Sequence, residues 1–393
     1  MKTNRVFQIW QHELERLDQD HLLRKLPVIE SSPTGRILMA GREIILLASN
    51  NYLGVSTEPT VVKAAQDALD KYGTGASGSR LLSGNLDLYQ KLEYRISALK
   101  ETEAALVFSS GYQANLGLIS TLCKADDLIL SDALNHASII DGCRLSKARR
   151  LIYNHCDPDH LQDLLSNASA ATNRWIITDG VFSMDGDLAP LPEILDLANR
   201  FDAYVIIDDA HGFGVLGTNG GGITSHFGLT DSRLIHVGTL SKAVGGLGGY
   251  VAGPQVLIDL LINQARSFIF TTGLPPSVIA TAIAAIDLIS ISPELRQRLL
   301  NHAEYLRRQL RQLGLQIPAG EAQIVPVIIG AAEQAKQLAD QLLNLGLFAP
   351  AVRPPTVPPN TARLRLSPIA THTDADLQTM VQAFAACVHA NQP

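Results

Sequence analysis

The sequence predicts an α/β protein with a large, mostly parallel sheet domain and a smaller C-terminal α+β domain. The chain has 393 residues, which is too long for one compact core and suits two domains. From residue 104 onward, short apolar runs alternate with helical segments, an order that is typical of parallel strands joined by helices. The runs are apolar throughout, so we expect strands that are buried on both faces of the sheet.

The first part of the chain combines helices with a glycine-rich loop. Phe7, Trp10, Leu14 and Leu17 recur at helical spacing and predict an amphipathic helix. The elements predicted next are a strand at residues 44–48, a helix from about Pro59 to Tyr72, a loop dense in Gly and Ser at 73–84, and an amphipathic helix at 88–99. We treat residues 1–48 as an N-terminal segment that precedes the large domain.

The large domain is predicted to cover residues 49–285 and to contain the sheet. Its predicted strands are the apolar runs at residues 105–108, 128–130, 175–178, 204–208, 234–238 and 250–252. The arginine-rich piece from Arg144 to Arg150 interrupts this pattern, and we interpret it as a solvated helix end. The large domain ends within an apolar helix that follows Pro275 and Pro276.

The smaller domain is predicted to cover residues 286–393. A helix rich in Arg, Gln and Leu at about residues 293–313 leads into it. The elements predicted after this helix are a strand at 324–329, a helix at 331–345, two strands on either side of a Pro-rich loop, and a terminal helix at 374–390. Strands and helices that do not alternate regularly favour an α+β arrangement.

Composition and charge exclude several classes of protein. With 46 % hydrophobic and 18 % charged residues, the chain can bury large cores and is not disordered. A net charge of −6 argues against a nucleic-acid or membrane partner, because either would favour clustered basic residues. The four cysteines have no metal-ligand spacing, so we expect reduced thiols and no bound metal. The N-terminus does not resemble a signal peptide, and we expect a cytoplasmic protein.

Two motifs place polar residues after apolar strands. IIDDAHG, at residues 206–212, puts Asp208 and His211 at a strand end, where open α/β sheets bind ligands. GTLSKA, at residues 238–243, puts Lys242 among small residues after the next strand, with room for a cofactor near the backbone. A buried lysine near another cation suits imine formation. The alternatives are an aspartate pair that caps the next helix and an exposed loop lysine.

Three further motifs follow other strands of the predicted sheet. In VFSSGYQAN, residues 107–115, a strand runs into Ser-Ser-Gly and a helix, which is a candidate anion site, although a simple serine N-cap fits equally well. In NHAS, residues 135–138, His136 could lie flat on an aromatic ring or cap a helix. In VFSMDGD, residues 181–187, the hydroxyl of Ser183 could donate to a phenolate oxygen.

The glycine clusters do not match nucleotide-binding fingerprints. G-x-x-x-x-G-K-[ST] is absent, so the chain has no nucleoside-triphosphate loop of that type. The glycines at residues 73–84 and 245–249 do not open a βαβ unit as G-x-G-x-x-G does in dinucleotide-binding proteins. We therefore do not expect a dinucleotide cofactor.

Taken together and in this order, the motifs resemble those of the α-oxoamine synthases. These are pyridoxal 5′-phosphate enzymes of the aspartate-aminotransferase-like fold type I, and the resemblance runs from about residue 20 to near the C-terminus. It implies that Lys242 holds the cofactor covalently and moves the substrate Cα proton, that Asp208 pairs with the pyridine nitrogen, and that His211, with Ser183, contacts the phenolic oxygen. It also implies that His136 stacks on the ring.

The resemblance implies further contacts residue by residue. Next to the cofactor it places Gly111, Tyr112, Thr239 and Ser241, with Thr272 reaching the phosphate of a neighbouring subunit in a homodimer. Around the substrate it places Asn50 and Arg365 at the amino-acid carboxylate, His136 beside the amino acid, and Arg24 and Thr356 on the acyl side. The catalytic set is then Lys242, His136, Asp208 and His211, and no metal is implied.

The segment RPPTVPPNTARLRLS, residues 353–367, indicates which substrates the family member uses. It most resembles members that condense L-alanine with a pimeloyl thioester in biotin synthesis, with coenzyme A or acyl-carrier protein as the thiol. The alternatives are an acyltransferase that uses glycine and acetyl-CoA, an aminotransferase of the same fold, and a non-catalytic protein that kept the fold.

Overall fold

A computed structural model describes residues 5–168 and 171–390. The chain forms two compact units. The first comprises the residues up to Ser49, residues 184–186 and the residues from Leu300 onward, and the second comprises Asn50–Ser183 and Asp187–Leu299.

The described helices are numbered in chain order. They are α1 (Arg5–Gln19), α2 (Pro59–Tyr72), α3 (Asp87–Lys100), α4 (Gly111–Leu122), α5 (Ala137–Leu145), α6 (Pro158–Ser166), α7 (Leu191–Arg200), α8 (Ile223–Phe227), α9 (Gln255–Gln264), α10 (Arg266–Ile269), α11 (Pro276–Ile291), α12 (Pro293–Gln312), α13 (Ala332–Asn344) and α14 (Asp374–Ala390). Predicted helices at 59–72, 293–313, 331–345 and 374–390 are confirmed within one residue at each end.

The described strands are numbered in the same way. They are β1 (Arg36–Met39), β2 (Arg42–Leu46), β3 (Ala104–Phe108), β4 (Leu128–Asp132), β5 (Arg149–Tyr153), β6 (Arg174–Asp179), β7 (Ala203–Asp208), β8 (Leu234–Thr239), β9 (Gly249–Gly253), β10 (Val325–Gly330), β11 (Leu347–Phe348), β12 (Ala351–Val352) and β13 (Ala362–Leu366).

The second unit contains a seven-stranded sheet in the order β3-β9-β8-β7-β6-β4-β5. The ladders from β8 to β5 are parallel, whereas β9 is antiparallel to both β3 and β8. Every strand predicted for the large domain is present, so the mostly parallel α/β sheet is confirmed.

Side chains of the central strands alternate between two buried clusters. Ile206 packs into a cluster with Leu118 of α4, while its neighbours Val205 and Ile207 pack into another with Leu161 of α6. Successive side chains of a strand point to opposite faces, so both faces of the sheet are covered. This is why the strands read as continuous apolar runs in the sequence.

Strand β5 was not predicted, and the interpretation of Arg144 to Arg150 as a helix end is partly wrong. Arg144 does lie in the last turn of α5, but Arg149 and Arg150 begin β5. Only Tyr153 of β5 is buried, because the strand lies at the edge of the sheet and faces solvent. An edge strand with charged, exposed positions lacks the apolar run that reveals a central strand.

The first unit contains two three-stranded sheets, β1-β2-β11 and β10-β13-β12. The hairpin β1–β2 was predicted only in its second strand. Its two-residue loop is Ala40-Gly41, with φ of 48° and 70°, which matches a type I′ turn. The usual Asn-Gly or Asp-Gly signal is absent, and this explains why β1 escaped prediction.

Among the described helices, no single one is both long and apolar enough to cross a membrane. Helices α11 and α12 together satisfy length and composition, with a bend of 81° between them.

Candidate functional site

Three neighbouring parallel strands end in polar residues at one edge of the seven-stranded sheet. β6 ends at Asp179, β7 at Asp208 and β8 at Thr239. Asp179 is the register partner of Asp208, and Asp208 that of Val237, so the strand ends lie side by side. The carboxyl ends of parallel strands are where open α/β sheets bind ligands. The fold therefore brings the two strand-end motifs to one edge.

Lys242 follows β8 in a tight turn and contacts a histidine. Its Nζ atom lies 2.7 Å from Nε2 of His211. The turn is closed by the N–H of Leu240, which donates to the carbonyl of Gly248 at 2.9 Å. The lysine side chain is half-buried, so the alternative of an exposed loop lysine is wrong. We call Asp208, His211 and Lys242 the lysine set.

Asp208 is a buried carboxylate with two donors. Its Oδ2 accepts a hydrogen bond from Nδ2 of Asn115 at 2.6 Å, and its Oδ1 accepts from the N–H of Ala210 at 3.0 Å. A carboxylate offers about four lone-pair sites, so Asp208 can accept a further, cationic donor. This capacity is what a protonated pyridine nitrogen requires.

The adjacent Asp209 has a different, structural role. It forms an ion pair with Lys100 at 2.7 Å, and both side chains are fully buried. It also accepts from the N–H of Ile223, the first residue of α8, at 3.1 Å. The helix-capping alternative is therefore right for Asp209, which leaves Asp208 for the site.

Asp179 lies beside Asp208 in the sheet and is fully buried. Burial, reinforced by the charge of Asp208, raises the pKa of Asp179 well above its ordinary value. A protonated Asp179 removes a like charge from beside Asp208. Asp179 Oδ2 also accepts from the backbone N–H of His136 at 2.7 Å. The sequence interpretation did not select Asp179, although it ends the apolar run of β6.

His136 caps α5 and keeps an exposed face. Its Nδ1 accepts from the N–H of Ser138 at 3.3 Å, so the capping alternative is right. The protein atoms around the ring desolvate it enough to lower its pKa, which favours the neutral imidazole. Because the cap uses an in-plane nitrogen, the cap does not prevent stacking on the ring face.

The turn between β3 and α4 approaches the lysine-bearing turn closely. Ser110 is the N-cap of α4, and its Oγ accepts from the N–H of Gln113 at 3.2 Å, so the N-cap alternative is right for this serine. A Cβ at Gly111 would lie 3.4 Å from Cβ of Thr239, and a Cβ at Gly249 would lie 2.4 Å from the nitrogen of Gly111. The glycines therefore permit a close approach of backbone N–H groups to the edge, where an anion can be held.

The remaining predicted phosphate contacts occupy two segments. Thr239 Oγ1 donates to the carbonyl of Gly248 at 2.8 Å, and Ser241 Oγ lies 3.3 Å from the same carbonyl. Thr272 is exposed, and its carbonyl accepts from Oγ of Ser109 at 3.2 Å. Thr239 and Ser241 therefore shape the lysine-bearing turn, and Thr272 adjoins the β3–α4 turn.

Tyr112 follows Gly111 on α4 and is 41 % exposed. Its hydroxyl donates to Asp141 of α5, and this hydrogen bond raises the pKa of Tyr112. This hydrogen bond connects the first turn of α4 to α5.

The turn that follows Ser183 is anchored by a histidine between two carboxylates. His155 Nδ1 lies 2.9 Å from Asp132 Oδ1, and its Nε2 lies 2.7 Å from Asp187 Oδ2. Burial alone would lower the pKa of His155, but the two carboxylates outweigh it and raise the pKa to about 12. Asp187 also closes the turn, since its carbonyl accepts from the N–H of Phe182 at 3.0 Å.

Tyr52 was not selected from the sequence, yet it contacts the lysine set. Its hydroxyl lies 2.7 Å from Nδ1 of His211 and donates to Oδ1 of Asn50 at 3.2 Å. The side chain of Tyr52 is fully buried. No local signal identifies such a residue, because its partner His211 is 159 positions away.

Three predicted substrate residues belong to the first unit. Arg24 Nη2 donates to Oγ1 of Thr356 at 3.4 Å and to the carbonyl of Pro354 at 3.2 Å. Arg365 lies on β13 and donates to Oγ of Ser367 at 3.0 Å. Arg24 and Thr356 are thus in contact with each other, and their place on the acyl side stays a prediction. The lysine set belongs to the second unit, so a shared site stays a prediction.

The residues of the second unit fit pyridoxal phosphate. A primary amine, a buried carboxylate with spare acceptor capacity and a neutral imidazole supply groups for its aldehyde, ring nitrogen and ring face. Backbone N–H groups at Gly111 can hold its phosphate. Asn115, the last residue of the VFSSGYQAN motif, supports this fit because its amide group holds the carboxylate of Asp208 in place.

Comparisons with known proteins agree with this chemistry. The family model of class I and II aminotransferases matches residues 42–384. The 8-amino-7-oxononanoate synthase of Lysinibacillus sphaericus is 48 % identical, with 95 % of this chain and 96 % of the relative covered. The 8-amino-7-oxononanoate synthase 2 of Bacillus subtilis is 44 % identical, again with 95 % and 96 % covered.

Solved structures agree as well. A serine palmitoyltransferase from S. paucimobilis, solved with bound PLP–myriocin aldimine, superposes with a TM-score of 0.93 at 34 % identity, covering 99 % of both chains. An 8-amino-7-oxononanoate synthase from Francisella tularensis superposes with a TM-score of 0.76 at 30 % identity, covering 88 % of this chain and 98 % of the other. The chain therefore belongs to the class I and II aminotransferase family and, within it, to the family of the 8-amino-7-oxononanoate synthases.

Proposed function

We propose that this protein is a pyridoxal-phosphate-dependent acyltransferase of biotin biosynthesis. It condenses L-alanine with a pimeloyl thioester and releases CO2, the free thiol and 8-amino-7-oxononanoate. The observation that carries the proposal is the lysine set, which lies at the edge of the sheet where the parallel strands end. The chain is also 43–48 % identical to curated 8-amino-7-oxononanoate synthases.

The cofactor is pyridoxal phosphate, which supplies an electron sink for negative charge at the amino-acid Cα. We propose that Lys242 holds its aldehyde carbon and that Asp208 holds the ring nitrogen. His211 and Ser183 would hold the phenolic oxygen, and His136 would cover the ring. The phosphate side would be formed by Gly111, Tyr112, Thr239 and Ser241. These residues all lie within 49–285, which we propose as the cofactor-binding domain, flanked by segments 1–48 and 286–393.

Lys242 has two tasks in the proposed reaction. Its Nζ would hold the cofactor, and as a free amine it would take the proton from the Cα of alanine. The overall reaction joins this Cα to the thioester carbonyl carbon, with the thiolate and CO2 as the leaving groups, and Lys242 would return a proton to the same carbon. When Nζ of Lys242 is not bound to the cofactor, it has a hydrogen-bond partner in an imidazole nitrogen of His211.

Asp208 has an electrostatic task. It is buried, and its remaining acceptor capacity can keep the ring nitrogen protonated. Asn115 and the backbone of Ala210 hold its two oxygens, so its orientation is set before any ligand arrives. This preorganisation favours the state in which negative charge develops on the substrate.

Substrate contacts are proposed on both units. Asn50 and Arg365 would bind the carboxylate of alanine, and His136 would border the amino acid. Arg24 and Thr356, which are in contact with each other, would line the acyl side. A guanidinium group there suits the free carboxylate of a pimeloyl chain or the phosphates of its carrier.

We also propose a cytoplasmic homodimer in which the sites are shared, with Thr272 reaching the neighbouring phosphate. Support comes from α1, of which no residue is buried and on which Phe7 and Trp10 are 56 % and 58 % exposed. Val6 and Ile9 of the same helix are exposed as well, and several apolar residues together on one helix are typical of an interaction surface. Sedimentation of the purified protein at several concentrations tests the dimer.

A product assay tests the activity. The purified enzyme is incubated with L-alanine and either pimeloyl-CoA or pimeloyl-acyl-carrier protein, and the product is identified by mass. Parallel reactions contain glycine with acetyl-CoA, or L-serine with palmitoyl-CoA. We expect 8-amino-7-oxononanoate and CO2 in equal amounts. Product only from another pair reassigns the substrates, whereas pyridoxamine phosphate in place of CO2 identifies an aminotransferase.

A further inference from the structure

A relay of hydrogen bonds connects the buried carboxylate of Asp208 to the imidazole of His136. Nδ2 of Asn115 donates to Oδ2 of Asp208 at 2.6 Å and to Oγ of Ser138 at 2.9 Å. Oγ of Ser138 in turn lies 2.8 Å from Nδ1 of His136. Asn115 and Ser138 are each 1 % exposed, so water cannot easily replace either of them in the relay.

The orientation of Asn115 is fixed by its charged partner. The amide nitrogen carries two N–H donors, and the amide oxygen can only accept. If the amide group were turned round, its oxygen would face the carboxylate of Asp208, and two acceptors would repel each other. The observed orientation leaves Oδ1 of Asn115 buried without a hydrogen-bond partner among the described residues. Because an unpaired buried acceptor is unfavourable, the two donated hydrogen bonds outweigh this loss.

The orientation of Asn115 determines the direction of the hydrogen bonds at His136. Oγ of Ser138 accepts from the amide, so its own proton is directed at Nδ1 of His136. The backbone N–H of Ser138 donates to the same nitrogen at 3.3 Å, and a backbone N–H cannot accept. Nδ1 therefore faces two donors and is the accepting nitrogen of the ring. In a neutral imidazole, the proton is then on Nε2.

Two donors at Nδ1 also oppose a positive charge on His136. An imidazolium carries a proton on each nitrogen, and a proton on Nδ1 would point at the N–H and O–H groups of Ser138. Desolvation by the surrounding protein lowers the pKa of His136, the charge of Asp208 acts against this effect, and the charge of Lys242 acts with it. Asp179, which accepts from the backbone N–H of His136, has a raised pKa that favours its neutral form.

We infer that Ser138 is a positioning residue that keeps His136 a neutral imidazole with its proton on Nε2. The consequence rests on the proposed function, in which Asp208 keeps the cofactor ring cationic and His136 covers that ring. A histidine cation would be repelled by the ring, whereas a neutral imidazole is not. Asn115 serves both needs, because one of its N–H groups holds the carboxylate and the other orients the hydroxyl of Ser138.

The charge and the proton position of His136 can be measured in the full chain. Protein with 13C- and 15N-labelled histidine gives ring chemical shifts that distinguish the two neutral tautomers and the imidazolium. The signals of His136 are identified among the 11 histidines by their loss in His136→Gln. We expect a neutral ring with its proton on Nε2 at pH 7, with and without added pyridoxal phosphate. A proton on Nδ1 at pH 7 overturns the inference.

Ser138→Ala removes the hydroxyl donor and keeps the backbone donor. We expect the titration midpoint of His136 to rise by about 0.5 to 1 pH unit, the value of one ordinary hydrogen bond to the neutral ring. Ser97→Ala is the matched control, because Ser97 is also buried in the second unit and donates to the carbonyl of Tyr94 at 3.0 Å. The control should leave the midpoint unchanged. An unchanged midpoint in Ser138→Ala, or an equal rise in both variants, contradicts the role of Ser138.

Asn115→Ala tests the other half of the relay. Without the amide, the hydroxyl of Ser138 is no longer held as an acceptor, and its proton can turn away from Nδ1 of His136. We expect the midpoint of His136 to rise, by less than in Ser138→Ala, and cofactor binding to weaken because Asp208 loses a donor. A midpoint that stays or falls in Asn115→Ala contradicts the relay.

The pH dependence of cofactor binding tests the consequence for the site. Cofactor-free wild type and Ser138→Ala are titrated with pyridoxal phosphate between pH 5 and pH 8. We expect equal Kd values at pH 8, where His136 is neutral in both proteins. As the pH falls, the variant should bind more weakly than wild type, with a ratio that approaches about three- to tenfold.

The same ratio of Kd values at every pH would indicate a purely structural effect of Ser138→Ala and would overturn the inference. If neither protein binds pyridoxal phosphate, the proposed function fails. The titration of His136 in the cofactor-free chain still decides the role of Ser138 in that case, so the two failures can be told apart.

Discussion

Asp179 and Asp208 are register partners at the ends of neighbouring strands, and the two side chains have different surroundings. Burial raises the pKa of Asp179 well above its ordinary value, which favours its neutral form. Asp208 is held by two donors and keeps capacity for a cation. The two carboxyl groups therefore have different tasks: Asp179 accepts from the backbone N–H of His136, and Asp208 is available to a cation.

This division predicts opposite results for two similar substitutions. Asp208→Asn should weaken cofactor binding by about 2 to 5 kcal/mol, or ~30- to 5,000-fold in Kd, because a buried ring cation loses its counter-charge. Asp179→Asn should change the Kd far less, since an amide replaces a neutral acid and its oxygen still accepts from His136. Titration of the cofactor-free variants with pyridoxal phosphate measures both values. Equal losses would contradict the assignment of charge.

Lys242→Ala should abolish the visible absorbance of lysine-bound cofactor and lower kcat by about a thousandfold or more. The cause is the loss of both the covalent anchor and the proton carrier. The circular dichroism spectrum should be unchanged, because Lys242 lies in a turn and its half-buried side chain is not part of a hydrophobic core. Lys147→Ala, at an exposed lysine, serves as the control and should keep both absorbance and turnover. A variant that retained the absorbance band would exclude Lys242 as the anchor.

The buried ion pair of Lys100 with Asp209 predicts that loss of the lysine destabilises the fold, and that removal of the aspartate charge as well restores part of the stability. Lys100→Met should lower the free energy of unfolding by about 3 to 5 kcal/mol, because a fully buried carboxylate is left without its cation. Lys100→Met/Asp209→Asn should recover part of this loss, as the amide is neutral and can still accept from Ile223. Urea unfolding of the three proteins gives the comparison. If the double variant were the least stable, desolvated charge would not be the cause.

The clamp of His155 between Asp132 and Asp187 predicts a pH dependence. The pKa of His155 is raised to about 12 in the folded chain, against an ordinary value of 6.5, so the folded state binds the proton more tightly. Its contribution to stability is fully present below about pH 6.5 and is lost as the pH rises towards 12. Between pH 7 and 9, the stability difference between wild type and His155→Asn should shrink by up to ~1.4 kcal/mol per pH unit.

Chemical unfolding at several pH values measures this slope. His12, which is exposed on α1, provides the control, and His12→Asn should show no comparable pH-dependent difference. A difference for His155→Asn that stays constant from pH 7 to 9 would mean that the imidazole is not held in its charged form.

Arg24 is proposed to act on the acyl substrate. Arg24→Ala should raise the KM for the pimeloyl donor about tenfold or more, the value of one charged hydrogen bond, while the KM for L-alanine stays the same. Arg16→Ala removes an exposed arginine of the preceding helix and should change neither constant. A rise in the KM for L-alanine alone would move Arg24 to the amino-acid side.

Prediction from sequence succeeded where the physical signal is local. Strands β3, β4 and β6 to β9 were recognised because strands buried on both faces are apolar throughout. Strand β5 was missed because it lies at an edge, and β1 because Ala40-Gly41 is not a common hairpin signal. For Ser110 and His136, the helix-capping interpretation and the site interpretation do not exclude each other. Both residues cap helices, and both lie at the edge of the sheet where Lys242 is found.

The sequence by itself determined the positions of the buried strands of the large sheet, the polar residues at their ends and the family, because apolar runs and motif order can be read along the chain. Only the tertiary structure decided which aspartate is buried beside Asp208, which aspartate pairs with Lys100, and which group faces each nitrogen of His211. Those outcomes depend on burial and on contacts between distant residues, such as the 159 positions that separate Tyr52 from His211. A side chain acquires its protonation state and its tautomer from such neighbours, and these exist only in the folded chain.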